Sequence, residues 1–107
     1  MKSKTLKLLT KRELKKIEAK FPDWKLDAKE TKFSRTFNFE KQIDALIFIA
    51  RTTVNSEILK HHPDIIFTHL KVKIVITSHE VTGLTKKDVE LLTRIEQLLL
   101  GKKVDKE

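Results

Sequence analysis

Four histidines are the residues of this chain best suited to chemistry, and all of them lie between positions 61 and 79. His61 and His62 stand together before Pro63, His69 follows, and His79 is the last of the group. Imidazole gives or takes a proton near neutral pH, so such a group is suited to general acid–base catalysis. A His-His-Pro segment at the exit of a helix and a histidine at the exit of a strand can meet at one site.

Two other interpretations of the histidines remain open from the residues alone. A metal site needs several imidazoles that converge on one point. The side chains of His61 and His62 diverge because the residues are adjacent, and no His-x-His or His-x-x-x-His spacing occurs. Surface or helix-capping roles explain any single histidine well, but they leave the clustering a coincidence.

The composition excludes several classes of protein. The chain has 107 residues, two glycines (Gly83 and Gly101) and no cysteine. A dinucleotide fingerprint or a P-loop needs at least two glycines in one short turn, and disulfides and thiolate sites need cysteine. No Gly-x-Ser-x-Gly nucleophile elbow is present either.

The net charge of +8 belongs mainly to the N-terminal part of the chain. Residues 1–41 hold 13 lysines and arginines against six acidic residues, and most of the basic residues in the chain are lysine. Base recognition favours arginine forks and aromatic stacking, so the pattern indicates a solvated surface rather than a nucleic-acid site.

No stretch approaches the roughly 18 apolar residues of a membrane span, and the first residues lack a secretory apolar segment. We expect a soluble, cytoplasmic protein.

The first 39 residues predict a helix followed by two strands. Thr10 and Glu13 form a capping box, and the apolar residues that follow have helical spacing up to Pro22. The pattern then changes to a period of two over residues 24–28 and 33–39, which predicts an antiparallel pair. Arg35 interrupts the apolar face of the second strand, which indicates a sheet edge or a polar contact.

A long helix is predicted over residues 40–59, with Asn38 as its cap. One apolar stripe is formed by Ile43, Ile47, Ala50 and Val54, and further apolar residues, among them Phe48 and Ile49, lie on other faces. A domain of this length has one core, so the second apolar face is predicted to be a subunit contact.

The remainder predicts two strands and a last helix. Strands are expected at residues 65–67 and 72–79, Thr85 is a good N-cap with Asp88 in the first turn, and Gly101 is a natural stop. The order α-β-β-α-β-β-α predicts an α+β fold, in which a four-stranded antiparallel sheet carries three helices on one face. Residues 1–107 are expected to form a single domain with an ordered core over about 8–100 and a frayed tail over 101–107.

The histidine region closely resembles the signature of the pterin-4a-carbinolamine dehydratase family. The similarity extends over about residues 8–100, and the combination of its motifs is specific. It departs from the usual family pattern at Lys60, Ile65 and His69. The matching residues are Glu57, His61, His62 and Pro63, then the segment Thr77-Ser-His-Glu-Val-Thr-Gly-Leu-Thr85, then Asp88.

This resemblance implies a hydro-lyase that converts 4a-hydroxytetrahydropterin to the quinonoid dihydropterin, as in tetrahydrobiopterin recycling. It implies no cofactor and no metal, and a homodimer or homotetramer formed through the 40–59 helix or a sheet edge. His61 and His79 match the family's acid–base histidines, and His62 matches the histidine that holds the pterin. The predicted substrate-binding residues are Glu57, Pro63, Thr77 and Ser78.

Two roles near the site follow from position in the helices. Glu57 lies four residues before His61, a spacing that fits either a residue that orients or charge-tunes that imidazole or an ordinary exposed glutamate of the helix. Asp88 is interpreted as a first-turn anion of the last helix. The alternative function is a non-catalytic, oligomeric binding protein of the same fold, because some family members serve as dimerisation partners of a transcription factor.

Overall fold

The fold alternates three helices and four strands. The computed structural model describes residues 7–106, with side chains described for residues 7–99. The helices are α1 (Lys11–Lys20), α2 (Gln42–Leu59) and α3 (Lys86–Lys106), and the strands are β1 (Lys25–Leu26), β2 (Phe33–Asn38), β3 (Asp64–Thr68) and β4 (Lys71–Ile76). A 3-10 turn (His79–Val81) lies between β4 and α3. This order confirms the predicted α-β-β-α-β-β-α arrangement.

The strands form one antiparallel sheet in the order β1-β2-β4-β3. Phe33 pairs with Ile76 and Phe37 pairs with Val72, so these side chains share one face of the sheet. All four are buried, together with Ile74 between them. The side chains on this face of the sheet form one side of the hydrophobic core.

All three helices contribute to the same core. Leu14 of α1, Phe48 of α2 and the α3 residues Leu91, Leu92 and Ile95 belong to one cluster of buried side chains with the sheet residues. On the opposite sheet face Thr36, Lys73 and Ile66 are exposed. The predicted α+β layer, with helices on one face of the sheet, is therefore confirmed. Across residues 7–106, no helix combines the length and apolar character needed to cross a membrane.

Helix α2 has two apolar faces, as predicted, but their roles are exchanged. Phe48 packs in the core, with its ring centroid 4.7 Å from that of Phe37, so it cannot belong to a free surface. The stripe of Ile43, Ile47 and Val54 is exposed instead. The buried positions include the small residues Ala45, Thr52 and Ser56. Two apolar stripes on one helix look alike in sequence, so only the fold decides which one faces the sheet.

The predicted ends of the long helices need two corrections. Helix α2 begins after Lys41, without a side-chain cap, and Asn38 is instead the last residue of β2, paired with Lys71. Helix α3 continues through Gly101 to Lys106. No glycine with described backbone has a positive φ, and a glycine inside a helix costs only about 1 kcal/mol relative to alanine. The predicted fraying of residues 101–107 stays a prediction, and residues 1–6 and 107 lie outside the described residues.

Two predicted polar features are confirmed. Thr10 and Glu13 form a reciprocal capping box at the start of α1. Arg35 lies on an internal strand rather than an edge, and it makes the predicted polar contact. Its guanidinium pairs with Glu96 of α3 and lies 4.6 Å from the ring centroid of Phe37.

Candidate active site

The exit of α2 brings His61 to one end of the sheet. Helix α2 ends because Lys60 adopts a left-handed conformation with φ of 54°, and the His61 amide donates to the Ser56 carbonyl at 3.0 Å. Pro63 then prevents further helix. Since β3 pairs Asp64 with Val75, the residues just before β3 lie at the same end of the sheet as those just after β4.

His61 contacts a buried carboxylate of α3. Its Nε2 atom lies 2.6 Å from Oδ1 of Asp88, whose side chain is 0% exposed, and the His61 side chain is 12% exposed. The other carboxylate oxygen, Oδ2, accepts hydrogen bonds from the Thr85 amide at 2.8 Å and the Ser78 hydroxyl at 2.6 Å. Asp88 therefore caps α3, as predicted, and also holds the imidazole of His61, which was not predicted.

The exit of β4 is fixed by a small backbone loop. Ser78 and Gly83 form an isolated bridge, with the Ser78 amide donating to the Gly83 carbonyl at 2.8 Å. His79 is the first residue of the 3-10 turn inside this loop and is exposed. Among residues 7–99, whose side chains are described, none makes a hydrogen bond or an ion pair with its imidazole. His79 follows directly after Ser78, and Ser78 shares the Asp88 carboxylate with His61, so the backbone that carries His79 is linked to His61 through Ser78 and Asp88.

Glu57 contacts His62 rather than His61. The Glu57 Oε2 and His62 Nε2 atoms are 2.6 Å apart, and the two side chains are 70% and 57% exposed. The interpretation of Glu57 as a residue that orients His61 was therefore wrong. The spacing of four residues assumes a continuous helix, but the left-handed Lys60 turns His61 toward α3 before the next helical turn can form.

Thr77 and Ser78, two predicted substrate-binding residues, use their hydroxyls inside the protein. The Thr77 hydroxyl donates to the Thr31 carbonyl at 2.6 Å and lies 3.2 Å from the Gly83 carbonyl. The Ser78 hydroxyl binds Asp88, and both side chains are buried. Contact of these two residues with a substrate stays a prediction, as does that of the half-buried Pro63. The geometry gives Thr77 and Ser78 a part in fixing the exit of β4.

His69 does not join the other histidines. It is exposed in the turn between β3 and β4, with φ of 52°, whereas His79 follows the far end of β4. A six-residue strand separates them, so they lie about 20 Å apart along the sheet. Among the residues with described side chains, no group of three or more histidines and acidic residues has the arrangement of a metal site.

The fold is that of a small α+β protein: one antiparallel sheet is covered on one face by helices, and at one end of it His61 contacts the buried carboxylate of Asp88. The family profile of pterin 4 alpha carbinolamine dehydratase matches residues 7–98. The chain belongs to this family.

Curated relatives match nearly the whole chain. A protein from Picosynechococcus is 36% identical over 91 residues, which cover 84% of this chain and 96% of the relative. A protein from Prochlorococcus marinus is 36% identical over 92 residues, which cover 86% of this chain and 95% of the relative. Both carry the provisional name pterin-4-alpha-carbinolamine dehydratase.

Two solved structures share the fold. A transcriptional coactivator/pterin dehydratase from Brucella melitensis superposes with a TM-score of 0.80 at 22% identity, covering 85% of this chain and 97% of that one. A pterin dehydratase-like protein identified as a RuBisCO assembly factor in the alpha-carboxysome gives a TM-score of 0.61 at 19% identity, covering 71% and 88%. At these identities the likeness concerns the fold.

Proposed function

We propose that the protein catalyses the dehydration of a 4a-hydroxytetrahydropterin to the quinonoid dihydropterin. The observation that carries the proposal is the contact of His61 with the buried Asp88 in a chain of the pterin dehydratase family. A catalytic imidazole needs a fixed orientation, and a buried carboxylate on one ring nitrogen supplies it. The other ring nitrogen is then available to a substrate at the end of the sheet.

The reaction needs one proton donor and one proton acceptor. The C4a–O bond breaks, and the departing hydroxide takes a proton and leaves as water. The N5–H bond gives up its proton, and its electron pair forms the C4a=N5 double bond, so nothing is oxidised or reduced. We assign the acceptor role to His61, and the donor role to His79, whose exposed imidazole can exchange protons with water.

His62 is proposed to bind and orient the pterin. Its imidazole is exposed beside the site, and Glu57 holds one ring nitrogen. The other nitrogen remains for the substrate. Because the pair is exposed, its contribution to the stability of the fold is small, about 1 kcal/mol or less.

The proposal is tested by following 4a-hydroxytetrahydropterin dehydration by absorbance against the uncatalysed reaction. We expect acceleration by the wild-type protein and a fall of about 10²–10⁴-fold in kcat for His61→Ala and for His79→Ala. His69→Ala is the matched control, since His69 lies at the other end of β4, and it keeps the wild-type rate. A wild-type protein without acceleration, or His61 and His79 variants with wild-type rates, overturns the proposal.

We further propose that α2 mediates self-association, as the family resemblance implies. Five large apolar side chains on one face of this helix are exposed in the single chain: Ile43, Leu46, Ile47, Val54 and Ile58. A continuous apolar stripe on a helix is typical of a protein interface. A non-catalytic binding role, the alternative function, would use the same surface for a different protein.

Light scattering coupled to size-exclusion chromatography tests this association. We expect the mass of a dimer or tetramer for the wild-type protein and a lower mass for Ile47→Glu. Gln97→Glu adds the same charge at an exposed position of α3 and leaves the mass unchanged. If the wild-type protein has the mass of a monomer, self-association is wrong, and the stripe is left to a different protein partner.

A further inference from the structure

We propose that Ser78 is a positioning residue for His61: acting through Asp88, its hydroxyl keeps the proton of the neutral imidazole on Nε2 and leaves Nδ1 to face the substrate. The kinetic part of this inference rests on the proposed dehydratase function. The hydrogen-bond chain that carries it is a property of the folded protein and can be measured without any turnover.

The chain of hydrogen bonds begins at the N-terminus of α3 and has one direction. The Lys87 amide donates to the Thr85 hydroxyl oxygen at 3.2 Å, and that oxygen lies 3.0 Å from the Ser78 hydroxyl oxygen. Ser78 donates to Asp88 Oδ2 at 2.6 Å. A peptide N–H can only donate and an ionised carboxylate can only accept. The Ser78 proton is committed to Asp88, so Thr85 is the donor in its contact with Ser78.

The direction of the chain determines the tautomer of His61. An ionised Asp88 carboxylate has no proton to give, so in this state the 2.6 Å contact between its Oδ1 and His61 Nε2 takes an N–H from the imidazole. In neutral His61 the lone pair is then on Nδ1. The ring is largely buried, which restricts its rotation to another arrangement.

Ser78 differs from the other donors to Asp88 because it comes from another element. The Thr85 amide, which donates to Asp88 at 2.8 Å, lies at the start of the helix that carries Asp88 itself, and the Thr85 hydroxyl oxygen is 3.4 Å from the same carboxylate oxygen. Ser78 comes from the exit of β4 and makes the shortest of these contacts. Without the Ser78 hydroxyl, the Asp88 carboxylate keeps only the contacts from its own helical turn. The orientation of the carboxylate plane toward His61 is then less restricted.

The test uses the full chain with ¹⁵N-labelled histidine and long-range ¹H–¹⁵N correlation spectra, in which nitrogen shifts report the protonated ring atom. The signals that disappear in the spectrum of the His61→Gln variant are assigned to His61. We expect the Nε2–H form for His61 in the wild-type protein and a shift toward a mixture of tautomers in Ser78→Ala. Ser78→Thr keeps a hydroxyl and restores the wild-type shifts.

Ser56→Ala is the matched control for the loss of a buried serine hydroxyl. Ser56 is as buried as Ser78, but its hydroxyl donates to the Thr52 carbonyl within α2. We expect this variant to keep the wild-type His61 shifts, whatever stability it loses. The comparison separates an effect carried by Asp88 from a general loosening of the core.

The kinetic expectation is a fall in kcat of about tenfold for Ser78→Ala, with KM changed by less than about twofold and with rescue by Ser78→Thr. An Nδ1–H form of His61 in the wild-type protein overturns the inference, and so do unchanged His61 shifts in Ser78→Ala. If the wild-type protein has no dehydratase activity but the shifts respond as expected, the proposed function fails and the positioning by Ser78 stands.

Discussion

Nε2 of His61 lies 2.6 Å from Oδ1 of Asp88, and this contact joins residues from the exit of α2 and the first turn of α3. The same carboxylate caps α3 through its other oxygen. A helix cap needs only one acceptor atom, so a capping aspartate has a second oxygen to offer. Here that oxygen fixes an imidazole at the end of the sheet.

Asp88→Asn should reverse the hydrogen bond to His61. The donors from Ser78 and Thr85 require the amide oxygen at the Oδ2 position, which places the amide NH₂ group toward His61 Nε2. An NH₂ donor forces the proton of the neutral imidazole onto Nδ1. We expect kcat to fall by about 10²–10⁴-fold, because the nitrogen offered to the substrate has lost its lone pair. Steady-state kinetics and the ¹⁵N shifts of His61 measure both effects.

The control for Asp88→Asn is a variant that weakens a helix cap elsewhere. Thr10→Ala removes the capping hydrogen bond of α1 and should cost about 1 kcal/mol of stability. Its kcat should equal that of the wild-type protein. If Asp88→Asn also keeps the wild-type rate, then Asp88 serves only as a cap and the assignment of His61 is wrong.

Patterns confined to a few neighbouring residues were sufficient to predict most elements. Two of the three predicted N-caps, Thr10 and Thr85, were inferred from residue types three positions apart, and the structure contains both. The third, Asn38, lies in β2 instead. The alternation around Phe33 and Phe37 predicted β2 and its buried face. Such signals act through local hydrogen bonds and side-chain periodicity, which a single sequence records directly.

The partners within the site could not be predicted in the same way. His61 and Asp88 are 27 positions apart, and each has a sufficient local explanation, one as a helix exit and the other as a cap. Glu57 was considered as a partner of His61 because helical spacing was extended past Lys60, whose left-handed conformation has no mark in its residue type. The β3–β4 register brings residues 61–63 and 77–79 to one end of the sheet, but it involves no residue of α3 and so does not identify Asp88 as the partner of His61.

His62→Ala should affect substrate binding more than turnover. His62 is exposed and, among the residues with described side chains, pairs only with the exposed Glu57, so its loss leaves the His61–Asp88 pair in place. We expect KM to rise by about tenfold and kcat to change by less than threefold, the pattern of a lost binding contact. Glu57→Ala should give a smaller change in the same direction. A Glu57→Ala variant that loses kcat as strongly as His61→Ala would restore the interpretation of Glu57 as a partner of His61.

Arg35→Ala should destabilise the fold without acting on the histidines. The guanidinium pairs with the partly buried Glu96, which also accepts a hydrogen bond from the Trp24 indole at 2.8 Å. Removal of Arg35 leaves this carboxylate without its cation. We expect the free energy of unfolding, measured with urea, to fall by about 2 kcal/mol. This is less than the loss for fully buried pairs because both groups retain some exposure. Arg12→Ala, on the exposed surface of α1, should change stability by less than about 0.5 kcal/mol. Equal losses in the two variants would contradict a role for the Arg35 ion pair.

Asp27 should make the stability of the fold depend on pH at acidic values. Partial burial raises the pKa of the Asp27 carboxyl, but hydrogen bonds from the Thr31 hydroxyl and from the Lys32 and Thr31 amides outweigh this and hold the pKa below its ordinary value. A folded-state pKa below the unfolded one gives stability that is present above the unfolded value and is lost as the pH falls through the folded value. This loop matters to the site because Thr31 accepts the hydrogen bond from Thr77 at the exit of β4.

Two substitutions separate the hydrogen bonds of Asp27 from its charge. Asp27→Ala should lower the free energy of unfolding, measured with urea at pH 7, by about 1–2 kcal/mol. This difference from the wild-type protein should shrink as the pH falls through the folded-state pKa of the Asp27 carboxyl. Asp27→Asn keeps an acceptor for the two amides but does not titrate. At pH 7, Asp27→Asn should therefore be more stable than Asp27→Ala. Because neither side chain titrates, the difference in stability between these two variants should stay the same at low pH. A wild-type advantage over Asp27→Ala that is constant with pH would mean that the carboxylate charge contributes nothing to holding the loop.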